Sequence, residues 1–595
     1  MFTVHLCRAA KAVTVLPNEF LSLPMSENKL FDDKIVALEP RATSKTYLST
    51  SWPPAQLVSV VDNEIRIVNK TLNPIHIPKN EHICQVRSTY VVDPPKISST
   101  SQYKKTCSAM NPPYSKSISL DKQLSQEWCD IFNEANLSFD SVFEPFGGRY
   151  NGKSGRLKMK INFGSSTPPV RKLHAPNYGR DNLNALQEKF NELEAQGVFA
   201  RPEDVGVIVE HVSPSFLVRK TSGGFRLVTA FTALAEYTKT LPTVMPTVET
   251  MLRTISEWKF IIMTDLTDAF YQIPLSKESM KWCATSTPFR GLRVYLVACQ
   301  GLPGSSEWLE ELLCLLFGEM VQRGVLGKVA DDLYVGGQTL RQLCDNWIEV
   351  LRTLLKNGLK LKGVKTFIAP TRAQLLGWDW CNGTIAASSH KLLPLIKCAA
   401  PATVTAVRSY IGAYKVFNRV VRGCAMYLDK LEKMIAGKQK NDKIAWSDEL
   451  LESFSASQEA LKSVSVITLP TRNDHITIVH DGSQVGIGSV LYLKRGDSIK
   501  VGGYFSAKLK QHQVRWYPCE IEALSIAVSV THFGPYIRQS LHCTQILTDN
   551  RPCVQAWDKM RRGEFSTSAR VATFMSTLSE FNVEVQHISG NYTAQ

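Results

Sequence analysis

Carboxylates that recur at the ends of apolar runs are the residues of this chain best suited to chemistry. The stretch Phe260-Ile261-Ile262-Met263-Thr264 ends in Asp265, a tandem pair stands in Val329-Ala330-Asp331-Asp332-Leu333-Tyr334-Val335, and single acids occur at Asp481, Glu522 and Asp549. Hard oxygen donors of this kind hold divalent cations, and two such cations serve both nucleotidyl transfer and phosphodiester hydrolysis. Asp265, Asp331 and Asp332 are therefore one expected catalytic and metal-binding set. Asp481, Glu522 and Asp549 are the second. Each is expected to take a pair of Mg²⁺ ions, with Mn²⁺ as the alternative. Taken singly, an Asp-Asp dipeptide is more often a turn and a lone acid more often a solvated surface group, so the weight rests on grouping and order.

Such side chains need rigid elements beneath them. The run before Asp265 reads as a buried strand, and Asp331-Asp332 reads as the tip of a hairpin beside it. Leu183, Leu186, Phe190 and Leu193 follow helical spacing over 182–196, with Gly197 placed to stop that helix. Residues 215–220 and 225–229 read as a hairpin turning at Ser222-Gly223-Gly224 and carrying Arg219, Lys220 and Arg226. A helical stretch follows at 305–320. This alternation predicts α+β layers. Further on, strands at 476–479, 488–493 and 500–506, a helix over 520–530, a strand at 545–548 and a helix near Pro552 give a β-β-β-α-β-α order that can gather the second acidic set. Between them, 404–420 reads as a helix with Val407, Tyr410, Ile411, Tyr414 and Phe417 on one face. Arg408, Lys415, Arg419 and Arg422 around it would either follow a phosphate backbone or form an ordinary solvated side.

Ahead of these elements, short strands are expected at 12–16, 34–38, 56–61, 64–68 and 83–86, with Asp62-Asn63 as a hairpin turn. Pro, Ser, Thr and Lys dominate 93–119, which reads as a linker.

Composition bounds the rest. With 595 residues, 44% of them hydrophobic, several cores are affordable and about three to five domains is the prior. The net charge of +15 favours an anionic partner, nucleic acid ahead of a membrane surface. Fourteen cysteines without a Cys-x-x-Cys pair support neither a zinc knuckle nor a disulfide framework, and fit a reducing compartment. No apolar run approaches the roughly 18–20 residues of a spanning helix. Met1 to Leu16, with Arg8 and Lys11 inside it, makes a poor signal peptide. The expected location is the cytoplasm.

Met263-Thr264-Asp265-Leu266-Thr267-Asp268-Ala269-Phe270 and Val329-Ala330-Asp331-Asp332, about 66 positions apart, resemble the two acidic motifs of reverse transcriptases. Four further segments match in order: Phe225-Arg226-Leu227-Val228, Gln300-Gly301-Leu302-Pro303-Gly304-Ser305, Gly358-Leu359-Lys360-Leu361 with Lys365, and Leu376-Gly377-Trp378 as a primer grip. The resemblance covers roughly 145–470 and is closest to LTR retrotransposons of the gypsy kind. It implies an α+β multidomain fold, a right-hand polymerase of fingers, palm and thumb, followed by a ribonuclease H-like α/β domain and preceded by a small β-rich spacer. The implied boundaries are 1–92 for the spacer, 93–144 for a linker, 145–395 for fingers and palm, 396–465 for thumb and connection, and 466–595 for the nuclease domain. It also implies roles: Lys220 and Arg226 toward the triphosphate, Phe270 as steric gate, Gln300 lining the nucleotide pocket, and Lys365 as proton donor or partner of the pyrophosphate. Val329 replaces a tyrosine usual in relatives, and Ala230 and Thr232 replace an acid and a base.

The segments Ile478-Val479-His480-Asp481-Gly482-Ser483 with Gly486-Ile487-Gly488, Tyr517 to Leu524, and Leu547-Thr548-Asp549-Asn550 resemble the ribonuclease H of the same elements, with Glu522 rather than Glu520 as the matching acid. His587, in Gln586-His587-Ile588-Ser589-Gly590, resembles the product-release segment that precedes a fourth carboxylate. The chain stops at Gln595 before that acid, so a C-terminally truncated nuclease domain is expected. The implied partners are an RNA template, a DNA primer, an RNA/DNA hybrid and deoxynucleoside triphosphates, within retrotransposon particles. No Asp-Ser-Gly or Asp-Thr-Gly of an aspartic protease is present, nor the zinc set of an integrase. A fragment of a pol polyprotein is the expectation; the alternative is a decayed or co-opted fragment that binds nucleic acid without catalysis.

Overall fold

The computed structural model describes residues 4–17, 19–24, 35–40, 53, 56–61, 64–69, 71, 74–88, 112–169, 178–219, 224–564 and 568–589. They fall into two compact units, Met1–Met110 and Asn111–Gln595.

Among its described residues the first unit is all β. A six-stranded sheet and a strand pair, Val13–Val15 with Ile75–Ile77, enclose Val36, Leu38, Val60, Ile65, Ile67 and Val86. Alternate residues turn inward in Glu64–Val68, where Ile65 and Ile67 are buried. Three strands absent from the sequence reading, Val4–Arg8, Phe20–Pro24 and Ile75–Ile77, complete it. They are short, and their alternation spans too few residues to stand out. Val61 pairs with Glu64, so the strands around Asp62-Asn63 form the expected hairpin, while those two residues lie outside the described ones.

The second unit begins inside the expected linker. Residues 93–111 lie outside the described residues, but 112–144 are folded: a helix Gln126–Ser138 brings Phe132 into the same core as Val142, Phe143 and Trp347. Ser119–Leu120 adds an edge strand beside Phe367–Ile368. The expected linker 93–144 is therefore too long at its C-terminal end. Composition hid this because the Pro/Ser/Thr/Lys bias stops near 119 and the helix after it is weakly apolar.

The central sheet runs in the order Leu326–Val329, Asp332–Gly337, Phe260–Asp265, Phe367–Ile368, Ser119–Leu120. Helices Ser305–Gln322 and Leu340–Asn357 bury Leu309, Leu313, Phe317, Trp347 and Leu351 against it. After it, a four-stranded sheet of 372–375, 378–381, 384–387 and 467–468 packs with helices Val404–Lys415, Cys424–Ile435 and Asp448–Ala460. Ile467–Thr468 pairs with Thr384–Ile385, so these residues belong with that sheet rather than with the final domain. The helix expected over 404–420 ends at Lys415, and Phe417 and Val420 are buried in the turn beyond it. Its basic side is largely occupied: Arg408 donates to the Lys438 carbonyl at 3.1 Å, Lys415 pairs with Glu432 at 2.6 Å, and Arg419 pairs with Glu249 at 2.8 Å. Arg408 and Lys415 stay exposed, and Arg419 is half-buried against Glu249.

The last sheet has the order 498–508, 486–495, 475–482, 544–548, 583–587, with helix Pro518–Gln539 against it. The expected β-β-β-α-β-α order is present and extends through a helix Ala569–Leu578 and a strand Val583–His587. No helix among the described residues is long and apolar enough to cross a membrane.

Candidate functional site

The strand Phe260–Asp265 pairs antiparallel with Asp332–Gly337 in a register that sets Asp265 opposite Asp332. On the other side of that strand, Val329 also faces Asp332, so only Ala330 and Asp331 make the turn between 326–329 and 332–337. Ala330 stands at φ +52°, a left-handed conformation that costs a residue bearing a Cβ roughly 1–2 kcal/mol. Leu266 N donates to the Asp331 carbonyl at 3.0 Å and Lys362 N to the Asp265 carbonyl at 2.8 Å. These bonds tie strand end and turn together. Ligand oxygens of Asp265, Asp331 and Asp332 all lie within 4.8 Å of one another, the single such His/Cys/Asp/Glu group of three among the described residues.

Crowding three carboxylates has an electrostatic cost. Burial, then the charges of Asp331 and Asp265, pushes Asp332 up to about 6. Burial likewise raises Asp265, opposed by the Lys365 ammonium that donates to its Oδ2 at 2.6 Å. The same bond raises Lys365. Asp265 Oδ1 is buried with no hydrogen-bond partner. A buried carboxylate oxygen without a partner is costly, and a proton or a cation relieves that cost. Three clustered carboxylates supply hard oxygen donors of the kind that suits a divalent cation.

A cleft of about 340 Å³ opens onto the cluster, and Arg226, Asp265, Phe270, Gln300, Asp331 and Lys365 all line it. Arg226 comes from the hairpin 215–219/225–229; Lys220 lies outside the described residues. Phe270 is half-buried in the turn Ala269–Gln272, entered through Asp268 at φ +43°. Gln300 is exposed beside Gly301, whose φ is +87° and whose missing Cβ would stand 3.4 Å from the Thr229 carbonyl of the Arg226 hairpin. Glycine there lets the two loops approach. Leu376 and Gly377, both at positive φ, turn the chain between 372–375 and 378–381. They are not on the cleft wall. Trp378 is buried edge-on against Phe417 at 6.3 Å, a packing position.

Two residues that the sequence reading passed over belong here. Lys362 lines the same cleft. Tyr334 is buried on the Asp332 strand, in the hydrophobic cluster against which Leu376 of the turn at 376–377 packs. An aromatic two positions after the acidic pair was the available signal.

The second acidic set is looser. Asp481 is exposed near the end of 475–482, Asp549 is exposed just after 544–548, and Glu522 is buried within the helix Pro518–Gln539. Parallel pairing of Val479 with Leu547 brings both strand ends to one edge of the sheet. Glu522 Oε1 accepts from Gly482 N at 3.1 Å. Burial, then the charges of Glu522 and Asp549, raises Asp481. Yet these three do not converge within 4.8 Å as the first set does. Glu522 Oε2 is buried without a hydrogen-bond partner; His480 Nδ1, wholly buried, is 3.3 Å away but not aligned to donate. Glu520 is differently occupied, accepting from Tyr517 N at 3.2 Å and pairing with Arg570 at 3.1 Å as a helix cap. His587 is exposed and pairs with Thr548, one residue before Asp549.

Comparison with known proteins follows the same division. Residues 218–380 match the family model described as reverse transcriptase (RNA-dependent DNA polymerase), and residues 446–544 match the RNase H-like domain found in reverse transcriptase. The second match contains Asp481 and Glu522 and ends before Asp549. The Transposon Tf2-3 and Tf2-7 polyproteins of Schizosaccharomyces pombe are each 20% identical over 424 residues, 71% of this chain and 31% of theirs. The chain thus spans about a third of the length of the curated relatives it matches. Among solved structures, a foamy viral protease-reverse transcriptase dRH in complex with ds DNA superposes with a TM-score of 0.68 at 15% identity, covering 98% of each chain. A foamy viral protease-reverse transcriptase in complex with RNA/DNA hybrid gives 0.63 at 15%, covering 96% of this chain and 76% of that one. The fold is α+β and multidomain, a reverse transcriptase-like domain followed by a ribonuclease H-like domain.

Proposed function

We propose that this chain, which carries a reverse transcriptase domain followed by a ribonuclease H-like domain, is the RNA-directed DNA polymerase portion of a gypsy-type LTR retrotransposon polyprotein. The observation that carries the reading is the convergence of Asp265, Asp331 and Asp332 within 4.8 Å around an orphaned carboxylate oxygen, at the mouth of a cleft lined by cations. Bound at those carboxylates, Mg²⁺ would activate a primer 3′-hydroxyl and neutralise charge on a departing pyrophosphate. Arg226 offers its planar fork to triphosphate oxygens, while Lys362 and Lys365 act as mobile point charges. Phe270 walls the cleft where a ribose 2′-hydroxyl would otherwise sit, which selects deoxynucleotides. Lys365, bonded to Asp265 Oδ2 in the ligand-free chain, turns its ammonium to the leaving group once that carboxylate's charge is met elsewhere. An RNA template and a DNA primer are the partners, and an RNA/DNA hybrid is the product presented to the second acidic set. That set, with Glu522 fixed and Asp481 and Asp549 exposed, would hydrolyse the RNA strand with water as nucleophile.

The test is extension of a DNA primer on an RNA template by the full chain and by Asp331→Asn/Asp332→Asn. Incorporation by the native chain alone is expected. Equal incorporation by both rejects the metal-site assignment, and none by the folded native chain rejects polymerisation.

A further inference from the structure

A second, larger cavity lies at the other end of the central strand. Asp265 closes the strand Phe260–Asp265, and the cavity lies beyond its first residue, about 17–20 Å away. Its volume is about 1020 Å³. One wall belongs to the palm, through the helix Val248–Ser256, the loops at 257–259 and 323–325 and the strand end at 336–338; the other belongs to the nuclease domain, through 471–473 and 535–541. The walls are bonded at the floor. Arg253 donates to the Pro535 carbonyl at 3.2 Å, Ser256 Oγ to the Pro470 carbonyl at 2.7 Å, and Arg472 N to Glu257 Oε1 at 2.7 Å.

Charge in this cavity is one-sided. Five cations line it, Arg253, Lys259, Arg323, Arg472 and Arg538, against the single carboxylate of Glu257. That carboxylate is taken up by the Arg472 backbone and by Gln539. Arg323 pairs with Glu349, and Arg538 lies 3.6 Å from Glu580. Arg253, Lys259 and Arg472 have no carboxylate partner among the described residues, and Arg253 Nε is buried with no acceptor at all. Cations held together without counter-charge repel unless an anion joins them. The cavity's aromatic Trp258 is buried and offers no face for base stacking. Without a stacking platform, recognition falls on phosphate rather than base.

We propose that this cavity is an accessory phosphate-binding site, separate from the carboxylate cleft, that takes consecutive phosphate groups through Arg253, Lys259 and Arg472. The phosphates could come from a nucleic acid strand passing behind the palm or from a free linear polyphosphate. The inference does not depend on polymerase activity.

Hydrogen exchange on the full chain, with sodium tripolyphosphate and with a single-stranded oligo(dT) 12-mer as separate probes, reads the site locally. Protection at 253–259 and 471–473 is expected. Protection by the oligonucleotide alone identifies a strand as the source, and protection by tripolyphosphate identifies a free polyphosphate; either supports the site. Lys259→Gln/Arg472→Gln, both at exposed positions, should weaken the protecting probe's affinity about tenfold, and Lys259→Gln alone should weaken it less. Absence of protection at both segments with both probes, or protection unchanged in the double variant, overturns the proposal. Polymerisation could fail without touching this result, because the carboxylate cleft gives protection around 265 and 331 instead.

Discussion

The two acidic sets of this molecule both use three carboxylates and reach different geometries. Asp265, Asp331 and Asp332 come from one strand end and one two-residue turn on neighbouring strands, so pairing register alone fixes their separation. Asp481, Glu522 and Asp549 come from a strand, a helix and the exit of a second strand, and only one of them, Glu522, is buried. Register is enforced by every hydrogen bond along a ladder, whereas helix-to-sheet packing leaves exposed acids free to relax apart. The first set is therefore pre-assembled and pays for it in raised carboxyl pKa values. The second is not gathered in the same way.

The contrast breaks most decisively at its largest expected effect. Asp331→Asn should reduce primer extension about a thousandfold, since it removes a charged ligand from a two-metal centre, while RNA-strand cleavage stays within about twofold. Parallel loss of both activities would mean that the two sets are not independent. Glu522→Gln should do the converse, lowering hybrid cleavage about a hundredfold with extension unaltered. Glu520→Ala sharpens the same point inside one helix: removal of the cap and of the Arg570 pair should cost about 0.5–2 kcal/mol in denaturant unfolding. Cleavage per folded molecule should survive it. If Glu520→Ala abolished cleavage and Glu522→Gln did not, the assignment of the acid in this helix would be reversed.

Much of this was legible from residue order. The apolar run into Asp265 and the hairpin at Asp331-Asp332 announce strands whose ends must meet, and the structure sets Asp265 opposite Asp332. Arg226, Phe270, Gln300 and Lys365 line one cleft, although they are spread from 226 to 365. What the sequence could not convey depended on partners distant in the chain. Arg419 reads as a basic residue on a helical face, yet Glu249, 170 positions away, pairs with it. The helix Gln126–Ser138 was hidden by its weak apolar pattern, and its burial rests on Trp347, whose indole donates to Asn136 Oδ1 at 2.8 Å. Tyr334 shares a hydrophobic cluster with Leu376, a neighbour that its place in the sequence does not announce.

The smallest expected effect concerns stability without metal. Asp332 is held at about 6, well above its ordinary value of 3.8, so between those values the folded chain binds more protons than the unfolded one. Stability must then rise as pH falls through about 6 and toward 4, and the cost of the charged cluster is fully present above 6. Asp332→Asn removes that cost. In EDTA at pH 8 the substitution should raise the unfolding temperature by about 2–4 °C, and the gain should shrink as pH approaches 5, where the native carboxyl is protonated and neutral as well. Millimolar Mg²⁺ should stabilise the native chain more than the variant, because the cation binds only the folded cluster. Asp481→Asn should follow the same sign with a smaller amplitude, since its carboxylate is exposed. A lower unfolding temperature for Asp332→Asn in EDTA at pH 8, or a difference that ignores pH, would mean that the three carboxylates are not the mutually repelling, cation-seeking group their spacing requires.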